Sequence, residues 1–475
     1  MEIIGRKAEL KELKKLSVSS KPEFLAIYGR RRIGKTYLIK TFFNGEFDFY
    51  ITGTNNVPLK QQLRSFHRAL RQYSPEDVEY KVPEDWFEAF HLLGQLLDLY
   101  KKDEKLVVFF DELPWLDTQK SLFVQALEYF WNSYASTKNI LLIVCGSAAS
   151  WMIHKLIRNR GGLHNRLTSK LRIDPFNLAE TEDFFRAKGG AFGRYQIVQL
   201  YMCLGGIPFY LEQVDVSLSA VQNIQQLCFS ENGGLFGEFT DLYNSLFRKP
   251  ENYLAIIKAL GSKKKGLTWS ELLKVTKLPN GGGTSRMIKS LIESGFVKEY
   301  RPFGGKVNHR LFQLVDLYSL FYLNFRSDNG TNNIRDWQLA IDDPAQRTWS
   351  GYAFEMVCFW HVSQIKKALG VSGVQTLVAG WTGKTEDKGA QIDLILDRRD
   401  DVINVFEIKF TRTPFEVTKK YGVELLEKIE IFKQATNTPK AIFLSFITCY
   451  GVKKGEFKSA FVQNDLTMDD LFESA

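Results

Sequence analysis

The sequence predicts a multidomain α/β protein, and three observations carry that prediction. Apolar runs alternate with helically spaced segments over the first third of the chain. The pattern turns helical from about Asn177 and shifts again near Gly237. A polar, turn-rich stretch, Ser327 to Asp336, then precedes a second alternation of helix and strand. At 475 residues the chain exceeds one ordinary domain. The shifts divide it into 1–176, 177–236, 237–326 and 337–475.

FLAIYG, LVVFFDE and ILLIVCGS are continuous apolar runs ending in small or acidic residues, as suits strands buried on both faces of a parallel sheet. WFEAFHLLGQLLDLY and LFVQALEYFWNSYAS have helical spacing between them. NLAETEDFFRA carries a cap and a helical stripe, and RYQIVQLYMCLGG stops on two glycines; these form a helical lid. ENYLAIIKALGS, TWSELLKV and SRMIKSLIESGFV read as three short helices. VKEYRPFGGKVNHRLFQL reads as a hairpin after them, which completes a winged helix-turn-helix. Beyond the linker the pattern predicts a long helix from about Trp349 to Leu369, two strands around Arg399, another helix and the strand AIFLSF.

Composition bounds the function classes. Hydrophobic residues at 44% and charged residues at 25% are ordinary for a soluble globular protein. The net charge of +9 is mild over this length and permits nucleic-acid contact without requiring it. Five scattered cysteines without CxxC spacing argue against a disulfide framework or structural zinc, and for a reducing compartment. The N-terminus is charged and amphipathic, unlike a signal peptide, and no apolar run approaches the roughly 20 residues of a membrane span. A cytoplasmic protein without membrane partners is expected.

GRRRIGKT, Gly29 to Thr36, matches GxxxxGK[ST] in full, between an apolar run and a helical segment that opens at Tyr37. Gly29, Arg30, Arg31, Arg32, Ile33 and Gly34 supply backbone N–H groups that wrap a phosphate at a helix N-terminus. Lys35 is expected on the β- and γ-phosphates of ATP, and Thr36 on Mg²⁺. In LVVFFDELPW, Asp111 sits at a strand end where a carboxylate holds Mg²⁺ through water, and Glu112 follows to polarise the attacking water. Ser147, at the end of the next buried strand, is either a sensor of the γ-phosphate or a helix N-cap. Arg166 is either an arginine finger or a surface arginine. A finger acts in cis or in trans, so the oligomeric state stays open.

Gly5-Arg6 before a charged helix, then GRRRIGKT, FFDELPW, GS, LHNRLTSKLRIDPF and LGGIPFYL in order, resembles the archaeal-type P-loop ATPases of the ASCE class that sit beside the STAND signalling ATPases. The resemblance covers about the first 320 residues. It implies that Gly205, Gly206 and Pro208 lie near the adenine; the competing reading is a helix stop at two glycines and a proline. It also leaves two roles for the winged helix. One is DNA binding through the helix Thr284 to Ser294, with Arg286, Lys289, Lys306 and Arg310 on phosphates. The other is packing on the ATPase as a switch module.

In QIDLILDRRDDVINVFEIKF two apolar runs flank a polar turn, which predicts a hairpin. A turn centred on Asp400 sets Asp393 opposite Glu407, and Lys409 shares their face. Two carboxylates and a lysine suit metal-dependent phosphodiester cleavage with Mg²⁺ or Mn²⁺. The pattern resembles the PD-(D/E)xK, restriction-endonuclease-like superfamily, with Asp393, Glu407, Ile408 and Lys409 as D…ExK. That resemblance implies a further acidic ligand, Glu355, on the preceding helix. Gln391 departs from it, because no acidic partner stands two residues before Asp393. The stretch Trp349 to Phe446 also resembles the DUF234-type domain that accompanies these ATPases. The competing readings are a cross-strand ion pair and a degenerate nuclease fold used for binding. Together the residues predict an ATP-hydrolysing switch coupled to a nuclease-like domain acting on nucleic acid, DNA favoured. The rival is a STAND-like signalling ATPase with a non-catalytic C-terminal module.

Overall fold

The computed structural model describes residues 3–473 other than 101–103, 160, 164, 248, 306–309, 327–335, 341–342 and 385–387. Lys306 and all of the predicted linker except Asp336 lie outside the described residues. The chain divides into two units, Met1–Pro175 and Phe176–Ala475.

In the first unit the order is α1 (Lys7–Ser17), β1 (Glu23–Gly29), α2 (Lys35–Phe42), β2 (Phe49–Thr52), α3 (Leu59–Tyr73), α4 (Trp86–Leu99), β3 (Leu106–Asp111), α5 (Phe123–Ser133), β4 (Ile140–Gly146), α6 (Ala149–Trp151) and β5 (Ser169–Ile173). The strands form one parallel sheet in the order β2-β3-β4-β1-β5. Strand β4 lies between β1 and β3 and is buried at every position, which is why its sequence is apolar without alternation. Helices α3, α4 and α5 bring Phe66, Trp86, Phe90 and Phe123 onto Phe49 and Phe110 of the sheet, forming an aromatic core. Parallel pairing sends the C-terminal ends of β1, β3 and β4 to one edge, so Gly29, Asp111 and Gly146 end side by side.

The second unit starts with α7 (Leu178–Ala187), fixed by a capping box between Asn177 and Glu180, and α8 (Arg194–Leu204). Gly205 then takes φ 63°, and a side chain at Gly206 would strike the Phe176 carbonyl, so local chain geometry demands both glycines. After α9 (Pro208–Leu211), α10 (Ala220–Ile224) and α11 (Glu238–Leu246) come α12 (Pro250–Gly261), β6 (Leu267–Thr268), α13 (Trp269–Thr276), α14 (Gly282–Glu293), β7 (Val297–Tyr300) and β8 (Leu311–Leu314). The three strands pair antiparallel in the order β6-β8-β7.

Helix α15 (Leu317–Phe325) leads to α16 (Pro344–Trp360), α17 (Val362–Ala368), β9 (Thr376–Lys384), β10 (Gly389–Arg398), β11 (Val402–Lys409), α18 (Lys419–Thr436), β12 (Ala441–Thr448), α19 (Glu456–Phe461) and β13 (Asn464–Thr467). The sheet order is β13-β12-β11-β10-β9, antiparallel from β9 to β11 and parallel beyond. Two expectations are corrected. The helix predicted from Trp349 to Leu369 breaks at His361, because the buried ring takes a hydrogen bond from the Leu178 N–H at the start of α7 (3.0 Å). Its other ring nitrogen meets the Val357 carbonyl at 2.7 Å, and burial pushes the imidazole pKa down to about 4. The hairpin around Arg399 also gains neighbours: β9 flanks it, and β13 closes the far edge.

Candidate functional site

The phosphate loop turns out of β1 at Gly29 (φ 150°), where any Cβ would meet the Ile173 carbonyl at 2.2 Å. Arg32 (φ 70°) and Gly34 (φ 83°) take left-handed conformations before α2 begins at Lys35. Lys35 is buried, with Nζ on the carbonyls of Arg30 (2.8 Å) and Gly29 (3.2 Å). Burial pushes its pKa down, against the opposing pull of Cys145, Glu112 and Asp111. Thr36 donates from Oγ1 to Asp111 Oδ2 at 2.8 Å, across 75 residues of sequence. Asp111 is buried, and that burial raises its carboxyl pKa despite the Thr36 bond. Glu112 sits at φ 45° and turns toward β4, where Ser147 donates to its Oε2 from Oγ (2.8 Å) and from N–H (3.2 Å).

The structure thus gathers Gly29, Arg30, Ile33, Gly34, Lys35, Thr36, Asp111, Glu112 and Ser147 at one edge of the sheet. Arg31 and Arg32 are half-buried on the loop, and Tyr37 points out from α2 at 47% exposure. Ser147 does not cap the following helix; Ala148 holds that position and Ser147 binds Glu112 instead. Arg166 is exposed and makes no side-chain bond to the loop among the described residues. Pro208 opens α9 in the second unit. The Arg6 side chain is buried and braces the loop, donating to the carbonyls of Ile33 (3.2 Å) and Asp174 (2.6 Å).

In the second unit the hairpin has the predicted register. Leu394 faces Phe406 and Asp397 faces Ile403, and one further step sets Asp393 against Glu407. Asp393, Glu407 and Lys409 line one cleft of about 750 Å³. Glu355 of α16 and Asp393 line a second, of about 930 Å³. Burial and then the Asp393 charge push the Glu355 pKa up to about 8. Glu407 is nearly covered and takes three donors. Lys409 meets its Oε1 and Lys428 its Oε2, each at 2.8 Å, and the Tyr421 hydroxyl donates to Oε1. Burial alone would raise its pKa, but the two ammonium groups outweigh it and hold the carboxyl below its ordinary range. Gln391 donates its side-chain amide to Asp393.

Lys409 lines the cleft with Asp393 and Glu407 and is also an ion-pair partner of Glu407. Glu407 already carries two cations, and no three acidic, histidine or cysteine side chains gather to hold a metal among the described residues. Tyr421 and Lys428 were not singled out from sequence, although seven residues, two turns of α18, place them on one face.

The turn after β7 meets the C-terminal sheet. The Phe303 N–H donates to the Gly380 carbonyl (2.9 Å), and its ring packs on Phe432 with centroids 5.2 Å apart. Arg310 pairs with Glu299 at 2.6 Å, while Arg286 and Lys289 are exposed on α14.

Residues 3–214 match a family described as an ATPase domain predominantly from Archaea. An uncharacterized protein of Methanocaldococcus jannaschii is 25% identical over 434 residues, covering 90% of this chain and 92% of its own. Among solved structures, the Walker-type ATPase PABY2304 of Pyrococcus abyssi is 19% identical, covers 67% of this chain and 95% of its own, and has a TM-score of 0.48. The ORC2 protein of Aeropyrum pernix, in ADPNP–ADP complexes, is 15% identical, covers 67% and 93%, and has a TM-score of 0.42. No helix among the described residues is long and apolar enough to cross a membrane.

Proposed function

We propose that this protein is an ATP-binding and hydrolysing switch that works on nucleic acid through its C-terminal domain. The observation that carries the switch is the Thr36–Asp111 hydrogen bond, which joins the phosphate loop to the acidic strand end. A hydroxyl and a carboxylate are hard oxygen donors that fit Mg²⁺. When bound there, the ion neutralises charge on the ATP phosphates. Lys35 turns from the loop carbonyls to the β- and γ-phosphate oxygens. Glu112 orients and polarises the attacking water, and Ser147 sets the position of its carboxylate. The test is Lys35→Ala, followed by calorimetric ATP binding and phosphate release. Loss of both is expected; parental affinity and turnover would remove the assignment.

The C-terminal reading is supported by element order. A helix, three antiparallel strands, a crossover helix and a parallel strand follow in the order that a restriction-endonuclease-like domain would have, and Asp393 with Glu407 would be its candidate site. DNA is the favoured target. Two readings of its chemistry remain, each with its own support. Asp393 opposite Glu407 favours cleavage with Mg²⁺ or Mn²⁺, whereas the two ammonium groups on Glu407 favour a module that binds without cutting. Plasmid DNA incubated with each metal, with and without ATP, separates them. Nicking that disappears in Asp393→Ala supports cleavage; intact plasmid under every condition supports the binding module. The three helices and small sheet from 250 to 314 support a winged helix. Its turn is docked on the C-terminal sheet through Phe303, which favours an internal switch module over a free DNA-reading wing.

A further inference from the structure

The two clefts of the second unit share Gln391 and Asp393, so each opens at the same carboxylate. The larger one has walls from two different modules. Lys263, Lys264 and Lys265 stand on the segment between α12 and β6, and all three are exposed. Arg347 of α16 and Lys384 of β9 also line it and are exposed. The backbone of the lysine segment is fixed. The Lys264 carbonyl takes hydrogen bonds from Gln313 (2.8 Å) and the Tyr352 hydroxyl (3.3 Å), and the Lys265 carbonyl takes one from Tyr300 (2.6 Å). The Lys264 ammonium lies 5.1 Å from the Tyr352 ring centre and acts electrostatically on Glu355 of the other module.

Cations from three separate elements along one cleft suit a polymer with regularly spaced negative charge better than a single anion. We infer that the two clefts form one composite track for a nucleic-acid backbone, with Lys263, Lys264 and Lys265 of the winged-helix segment as phosphate contacts leading to Asp393. The inference rests on the nucleic-acid reading of the C-terminal domain but not on cleavage. It also makes the segment between α12 and β6 part of the substrate site.

The test uses the full chain and fluorescein-labelled DNA and RNA of one sequence, single-stranded and duplex, titrated over a range of salt. The groove variant reverses Lys263, Lys264 and Lys265 to Glu; a control with the same charge change reverses the exposed Lys11, Lys14 and Lys15 of α1 to Glu. The groove variant should bind at least about tenfold more weakly and lose about two to three units of salt slope, while the control changes affinity less than about threefold. Arg347→Ala with Lys384→Ala, from the other elements of the cleft, should weaken binding in the same direction. Unchanged melting temperatures establish that the variants are folded. Equal losses in groove and control variants would overturn the inference, as would a groove variant that binds like the parent; both leave the nucleic-acid reading standing. A parent that binds none of the four probes, with or without ATP, removes that reading and the inference with it. The probe bound most tightly identifies which polymer the track takes.

Discussion

The two carboxylate sites of this chain contain the same acid groups and set them against different partners. In the first unit Asp111 and Glu112 are held by hydroxyls, those of Thr36 and Ser147. In the second unit Glu407 is held by two ammonium groups, Lys409 and Lys428. Neutral donors orient a carboxylate without pairing its charge directly, Lys35 acting on both only through space, so each keeps its attraction for an incoming cation. Ammonium groups answer that charge, and a metal must displace one of them. The opposite pKa directions follow: burial dominates at Asp111, and paired charge dominates at Glu407. A motif such as D…ExK names the acid groups, but their partners decide what those groups can bind.

The largest expected effect tests the first site. Glu112→Gln keeps the shape and removes the charge, so ATP turnover should fall about 10²- to 10⁴-fold while nucleotide binding persists. Single-turnover phosphate release beside equilibrium binding measures both. Turnover at the parental rate would reduce Glu112 to a partner of Ser147 and dissolve the contrast.

Next comes stability. Glu407→Gln leaves two partly buried lysines without their counter-charge and should cost about 2–3 kcal/mol, discounted because both ammonium groups reach solvent. Asp111→Asn keeps a side-chain oxygen for Thr36 and removes a carboxylate that burial disfavours, so it should stay within about 1 kcal/mol of the parent. Urea unfolding at neutral pH compares them. Equal losses would break the comparison.

A smaller effect separates the sites by pH. The Glu355 pKa of about 8 lies above its ordinary 4.5. The folded chain therefore keeps a proton that the unfolded chain releases, and stability is lost as pH rises from about 4.5 through about 8. Burial and the Asp393 charge raise this pKa while Lys264 and Lys409 oppose them, and the loss is expected to be on the order of 1–3 kcal/mol. Glu407 has the opposite sign: its contribution is present above the ordinary carboxylate pKa and is lost as pH falls through its depressed folded value. Glu355→Gln should flatten the alkaline decline in melting temperature and leave the acid decline in place. An unchanged alkaline decline would mean that Glu355 is not held protonated.

What the sequence disclosed follows the range of the forces involved. The phosphate loop was legible because its glycines, lysine and threonine act within eight residues. The register of β10 and β11 was legible because a three-residue turn, with Asp401 at φ 62°, fixes which residues face each other. Strand β9 was not legible: TLVAGWTGK mixes glycine and exposed positions, and its pairing with β10 is irregular between Ile392 and Ile395. The break at His361 depends on a backbone N–H 183 residues away. The partners of Glu407 lie on α18, across a loop from the hairpin, so the motif alone could not disclose that its charge is answered.

The smallest effect probes the difference most directly. Lys428 holds Glu407 Oε2, while Lys409 and Tyr421 hold Oε1. Lys428→Ala therefore frees one oxygen without disturbing the hairpin, whose register comes from β10 and β11. The freed oxygen belongs to the residue opposite Asp393, and the local charge becomes more negative by one. Mn²⁺ affinity, measured by calorimetry on the full chain, should rise about tenfold, equivalent to about 1.4 kcal/mol. Asp393→Ala added to that variant should cancel the gain, because a divalent ion held between two carboxylates needs both. Conversely, a Lys428→Ala protein with parental Mn²⁺ affinity would mean that the ammonium groups are not what keeps a cation out. The contrast between hydroxyl-held and ammonium-held carboxylates would then fail as the explanation, and the C-terminal domain would stand as a binding module that has the hairpin of a nuclease without its metal.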